Sequence, residues 1–262
     1  MNILIIGKPS SNIERLLKKS KYAEKVYTAI NGEHTSFPNI EYRNFDDILQ
    51  KAIALKIDIA LNTDKNLIKN GIAEFFETKK INLISVNKKW LNLETSRLSA
   101  KKLLQYYNIN TPNIIRVPLD FPVMIKTDEP GLDYAAKSMP EIIDKLEEFE
   151  NITTFFEEYI EGQSFVLYTI WDKKNIKYLY PEEELTEVQL DRLDLLKTKL
   201  NFMFSDEKAD FCGVFGINII WYKNDWYVKD FDMGTEIPAN LLKNTDLIYI
   251  LNSAIYQKLN EC

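Results

Sequence analysis

Along the first third of the chain, short apolar runs alternate with stretches whose apolar residues recur every three or four positions. Residues 3–6 (ILII) form an apolar run closed by Gly7, and residues 13–20 follow with helical spacing. Residues 25–30 (KVYTAI) read as a second strand, 45–55 as a helix, 57–61 as a third strand, 67–79 as a helix and 81–85 as a fourth strand. Apolar strands separated by amphipathic helices predict βαβ units around a parallel sheet. Near residue 93 the pattern changes to a mixed α+β one. A helix is expected over 93–107 (LETSRLSAKKLLQYY), a strand at 123–126 (VMIK), an acidic turn at 127–133 and a helix at 140–150 with Pro140 in its first turn. Strands follow at 153–160 (TTFFEEYI), 164–171 and 176–180, then a long helix over 186–202 and a closing helix over 245–259. The fold class is therefore α/β followed by α+β, with expected domains at 1–92, 93–170 and 171–262.

Residues 210–238 form the densest chemical stretch. Residues 214–222 and 226–231 read as the two strands of a hairpin, joined by the polar turn 223–225. Side chains two apart on a strand share a face, so Asp230 and Asp232 point the same way. A hairpin folded about Asn224 brings Asn218 roughly opposite them. Two carboxylates and an amide are hard oxygen donors of the kind that suit Mg²⁺, which is held by one or two carboxylates plus phosphates. A pair of solvated acids at a strand end fits the same spacing, and both readings stay open here.

Composition narrows the classes. The chain has 262 residues, 45% of them hydrophobic, with 8 Gly and 9 Pro, which fits a folded protein with no low-complexity tract. A net charge of −6, with lysines scattered along helical segments, argues against a nucleic-acid face. No apolar run reaches the length of a membrane span, and Met1 leads straight into a strand, so no membrane partner and a cytoplasmic location are expected. Two cysteines give neither a disulfide framework nor a metal site, and the single histidine, His34, is expected in a turn. The segment Gly7-Lys8-Pro9-Ser10-Ser11 lacks the glycines a dinucleotide loop needs.

In order along the chain, Arg97, Lys126, the segment 157–162, Asn218, Asp230 and Asp232 resemble the ATP-grasp superfamily. Within it they are most similar to the phosphoribosylamine–glycine ligase branch of purine biosynthesis. The resemblance runs from residue 3 to about 259, anchored at 93–101, 122–126, 155–162, 213–232 and 244–250. It implies a pre-ATP-grasp domain, then a small lobe bearing the adenine strand and a C-terminal lobe bearing the metal hairpin. It also implies ATP and Mg²⁺ as cofactors and small carboxylate and amine substrates, and a homodimer is compatible with it. Lys126 and Arg97 are implied as phosphate-binding and catalytic cations, Arg97 standing where many members carry lysine. Glu157, Tyr159 and Ile160 would border the adenine and Gln163 the ribose, while Asn218, Asp230 and Asp232 match the metal trio. Asp230 replaces a customary glutamate, one methylene shorter. The bland alternatives are a strand-end lysine with its ammonium in solvent, a solvated Arg97, and Glu157 with Glu158 as an exposed pair on an edge strand.

Three departures stand beside these matches. The glycine-rich loop that the family places after its strand lysine is here TDEPGLDY (127–134), with one glycine, a proline and three acids. Such a loop is adverse over a triphosphate unless it points away or holds metal. The family's Gly-rich substrate block is reduced to a short loop–strand–loop between Trp171 and Glu187. Its arginine after the metal strand is replaced near Gly234 by small and apolar residues, and no separate C-terminal lobe is expected. Two functions follow: an ATP-dependent carboxylate–amine ligase acting through an acyl phosphate, or a nucleotide-binding or scaffold relative without catalysis.

Overall fold

A computed structural model describes residues 1–32, 35–79, 81–129, 131–242 and 245–261; His34 and the turn expected around it lie outside these. The first third comprises β1 (Asn2–Ile6), α1 (Ser11–Lys19), β2 (Lys25–Ala29), α2 (Phe45–Ala54), β3 (Ile59–Asn62), α3 (Lys65–Lys69), α4 (Ile72–Glu77) and β4 (Leu83–Ile84). The four strands form the expected parallel sheet in the order β2-β1-β3-β4. Leu4, Ile6 and Ala60 pack on one face against Ile48, Ala52, Ile72 and Phe76 of α2 and α4. The single helix expected over 67–79 is two. Gly71 adopts a left-handed φ of 85°, open to glycine and strained for other residues, and the break leaves α3 as a separate turn carrying Lys65 at its start.

The middle of the chain holds α5 (Lys88–Thr95), α6 (Arg97–Tyr106), β5 (Ile114–Ile115), β6 (Val123–Thr127), β7 (Tyr134–Ala136), α7 (Met139–Glu148) and β8 (Thr154–Glu158). The helix expected over 93–107 is likewise divided, at the non-helical Ser96. The first half starts earlier than expected, at the Asn87 cap, whose side chain accepts from Trp90 N–H at 3.1 Å. The strands form an antiparallel sheet, β5-β8-β6-β7, covered by α7 through Ile142 and Phe149. β5 and β7 are two and three residues long, too short to leave a period in the sequence.

The remainder is β9 (Ser164–Asp172), β10 (Ile176–Leu179), α8 (Glu187–Asp206), β11 (Cys212–Tyr222), β12 (Asp225–Met233) and α9 (Leu247–Ile255). A second antiparallel sheet runs β10-β9-β11-β12. Thr186 and Gln189 form a reciprocal capping box that starts α8. Leu193, Leu196, Leu200 and Met203 of that helix pack, with Trp90 and Leu104, against Leu167, Phe215, Ile217 and Phe231 of the sheet. α9 packs instead with Ile3, Ile5, Ile59 and Leu61 of the parallel sheet and with Ile170 and Val214 of the large antiparallel one. Ser85 N–H also donates to the Cys212 carbonyl at 2.7 Å, joining β4 to β11. The expected boundaries at 92/93 and 170/171 fall inside α5 and β9.

Candidate functional site

The site is built on β11 and β12, and its geometry depends on one irregularity. Lys223 and Asn224, both with positive φ, make a two-residue turn, so that Tyr222 faces Asp225. The ladder then runs Trp221 to Trp226 and Ile219 to Val228, but Asn218 faces Asp230. Lys229 is an extra residue, a β-bulge. Had the ladder continued regularly through Lys229, Asn218 would face Lys229, and Asp230 and Asp232 would share the core-facing side with Ile217 and Phe215. The bulge is what brings the amide and the two carboxylates to one face. Its mark in the sequence is the spacing of the core residues: Trp226, Val228, Phe231 and Met233 are all buried, with one three-residue step among two-residue ones.

Around that face the chain gathers cations from three separate elements. Lys126, at the end of β6, places Nζ 3.3 Å from Asp230 Oδ2. Arg97, the first residue of α6, donates from Nη1 to the Thr127 carbonyl at 3.0 Å, and its Nη2 lies 3.7 Å from Asp230 Oδ2. Asn218 Nδ2 donates to Asp230 Oδ1. Lys65, from α3, donates to both oxygens of Glu94 at 2.9 Å and to Asp232 Oδ1 at 2.5 Å. Exposure is graded across the cluster. Side chains of Lys126, Arg97 and Asp230 are 3%, 9% and 13% exposed, whereas those of Lys65 and Asp232 are 39% and 41% exposed and form its mouth. Burial works against the charge on Lys65, but its bonds to Asp232 and then Glu94 outweigh it and hold the ammonium above the usual lysine range.

The acidic loop neither points away nor stands clear of the cations. Asp133 accepts from Arg97 Nη1 at 2.5 Å, from Thr127 N–H at 3.3 Å and from Lys126 Nζ, so one carboxylate bridges the two cations. Asp128 accepts the Arg97 backbone N–H at 3.1 Å. Lys126 and Arg97 are thus neither solvated nor snorkelling.

Glu157 is also buried, on β8 between β5 and β6, which rules out an exposed edge-strand position. Lys101, four residues after Arg97 on α6, lies 2.6 Å from Glu157 Oε2 and donates to Thr111 Oγ1 at 2.9 Å. Glu157 Oε2 thus has a buried ammonium for a partner, whereas Arg97 Nε is buried without a hydrogen-bond partner among the described residues. Burial pushes the Glu157 carboxyl above its ordinary range and the Lys101 ammonium below its own, each only partly countered by the other. Ile160 is buried, Tyr159 donates its hydroxyl to Glu161 at 2.8 Å, and Gln163 accepts from Gln189 at 2.9 Å at the start of α8.

Lys65, Glu94, Lys101 and Asp133 were not among the expected site residues. Lys101 was accessible in principle, since residues four apart share a helix face and Arg97 was already placed.

No family model matches the chain. Among solved structures, phosphoribosylamine–glycine ligase from Thermotoga maritima superposes with a TM-score of 0.72 and 14% identity, over 98% of this chain and 76% of that one. D-alanine–D-alanine ligase from Bacillus anthracis, complexed with ATP, superposes at 0.66 with 17% identity, over 100% of this chain and 99% of that one. The chain has an ATP-grasp fold. A curated sequence relative, phosphoribosylamine–glycine ligase from Fusobacterium nucleatum, is 26% identical over 117 residues. That match spans 42% of this chain and only 28% of the relative.

The residues gathered here have donor chemistry that fits a divalent ion together with a polyphosphate. Asn218, Asp230 and Asp232 supply oxygen donors on one face, with Asp232 at the mouth of a cluster rich in cations, and the unpartnered Arg97 Nε is spare donor capacity beside it. Among the described residues no group of three or more His, Cys, Asp or Glu side chains is placed to hold a metal ion.

Proposed function

We propose that the protein is an ATP-dependent carboxylate–amine ligase working through an acyl phosphate. The observation that carries this is the 3.3 Å approach of Lys126, from the small sheet, to Asp230, on the hairpin of the large one, with Arg97 beside both. In the proposed reaction a substrate carboxylate oxygen attacks the γ-phosphorus of ATP and ADP leaves. The amine then attacks the acyl carbon, expelling phosphate and losing a proton. Chemistry of this kind is chiefly positioning and charge neutralisation. Lys126 and Arg97 would hold the phosphates once Asp133 gives way. Glu157, Tyr159, Ile160 and Gln163 are the proposed nucleoside contacts. Asn218, Asp230 and Asp232 would hold Mg²⁺, which when bound neutralises charge developing on the transferred group. The acid and amine are left at class level, because the Gly-rich substrate block of the glycine ligases is replaced by the short segment around β10.

The test is phosphate release from Mg·ATP across a panel of carboxylates and amines, in wild type and in the double variant Asp230→Asn/Asp232→Asn. Turnover with at least one pair, abolished in the double variant while the fold persists, is the expected result. Unchanged turnover in the double variant would end this mechanism.

A second reading, nucleotide binding without catalysis, is favoured by the Asp133 bridge across Arg97 and Lys126. It predicts stabilisation by ADP and ATP but no phosphate release with any pair.

A further inference from the structure

Lys65 comes from the parallel-sheet region, yet its ammonium sits at the metal strand, 2.5 Å from Asp232 Oδ1. It is not a loose surface contact. Glu94 grips the same ammonium with both oxygens at 2.9 Å, and Glu94 is itself buried and takes the Met233 backbone N–H at 2.7 Å. The lysine is thereby tied to the backbone next to the carboxylate it neutralises. Asp230 differs. Its cations, Lys126 and Arg97, have a better partner in an incoming polyphosphate, and on moving to it they would free Asp230 for an ion.

We propose, building on the nucleotide reading above, that Lys65 is a resident cation standing in for one divalent ion at Asp232, so that the nucleotide complex holds one divalent ion and not two. Lys65 takes Asp232 Oδ1 and leaves Oδ2 for the one ion shared with Asp230. A second ion would need Oδ1 and would lie next to a fixed ammonium, and like charges at that distance repel strongly in a partly buried setting. The arrangement also makes the helix–turn at 65–69 part of the site, since the positive charge at its mouth is delivered from there.

The experiment counts Mn²⁺ bound per chain, by electron paramagnetic resonance, with the protein saturated by a non-hydrolysable ATP analogue. One ion in wild type, two in Lys65→Met, and one again in Lys65→Arg are expected. Two ions in wild type would overturn the inference without any variant being needed, and so would a folded Lys65→Met protein that still binds one. Binding of neither analogue nor Mn²⁺ would overturn the nucleotide reading itself, and this inference with it, and is distinguishable from both.

Discussion

Replacing Lys101 by methionine isolates the most deeply buried charge of the site. Lys101 and Glu157 are each 2% exposed and 2.6 Å apart. Deleting one partner of such a pair leaves an uncompensated charge and costs about 3–5 kcal/mol. For 262 residues the unfolding entropy is about 0.55 kcal/mol/K, so the melting temperature should fall by about 5–9 °C. The double variant Lys101→Met/Glu157→Leu should recover to wild-type stability or exceed it by about 1–4 kcal/mol, since replacing a whole buried pair by apolar groups removes its desolvation cost. The shifts agree in direction: burial raises the Glu157 pKa and lowers that of Lys101. Because the Glu157 value is raised in the folded state, its contribution is fully present below the unfolded value and is lost as pH rises through the folded one. The advantage of the double variant should therefore shrink as pH falls from the raised value towards the ordinary carboxylate range. Thermal and urea melts of the four-member cycle measure all of this. A single variant within about 1 kcal/mol of wild type, or a double variant as unstable as the single, would refute the reasoning.

The remaining predictions concern the ligand and the backbone. Asp133→Ala should tighten ADP binding, measured by calorimetry, by about tenfold or more, since a charge-assisted contact of about 1.5–3 kcal/mol no longer competes for Arg97 and Lys126; an unchanged affinity would show that the nucleotide leaves Asp133 in place. ADP or Mg·ATP at a hundred times its dissociation constant should add about 2.7 kcal/mol, or about 5 °C, in a thermal shift, and no shift with either would exclude nucleotide binding. Gly162→Ala should cost at least about 1–3 kcal/mol in denaturant melts, because a Cβ there would meet the Trp221 carbonyl oxygen at 2.0 Å with no flexible atom to yield; a neutral outcome would mean that the connection between β8 and β9 moves readily away from β11.

Much of the fold is legible in the sequence because its strands are apolar and its helices amphipathic. The parallel sheet, the long helix α8 and the hairpin all follow from periodicity. The two divided helices do not, because Gly71 and Ser96 break the backbone without breaking the apolar spacing. Lys126 and Asp230 lie in segments whose local pattern places them on strands, and Arg97 lies in one whose pattern places it within a helix; the fold brings the three together. Asp133 rests on how an irregular loop turns back, and Lys65 on packing across 167 positions of sequence to Asp232. Neither kind of information has a local period to betray it.

Lys229 is the one spare residue in the hairpin. Removing it would leave every cross-strand neighbour as it is, with Val228 still beside Ile219 and Asp230 still beside Asn218, but would take out the local bend that bulges impose. Such a deletion separates two properties that point substitutions confound: which groups keep company, and the angle at which they are offered to a ligand. A chain shortened there keeps its membership and loses only its aim.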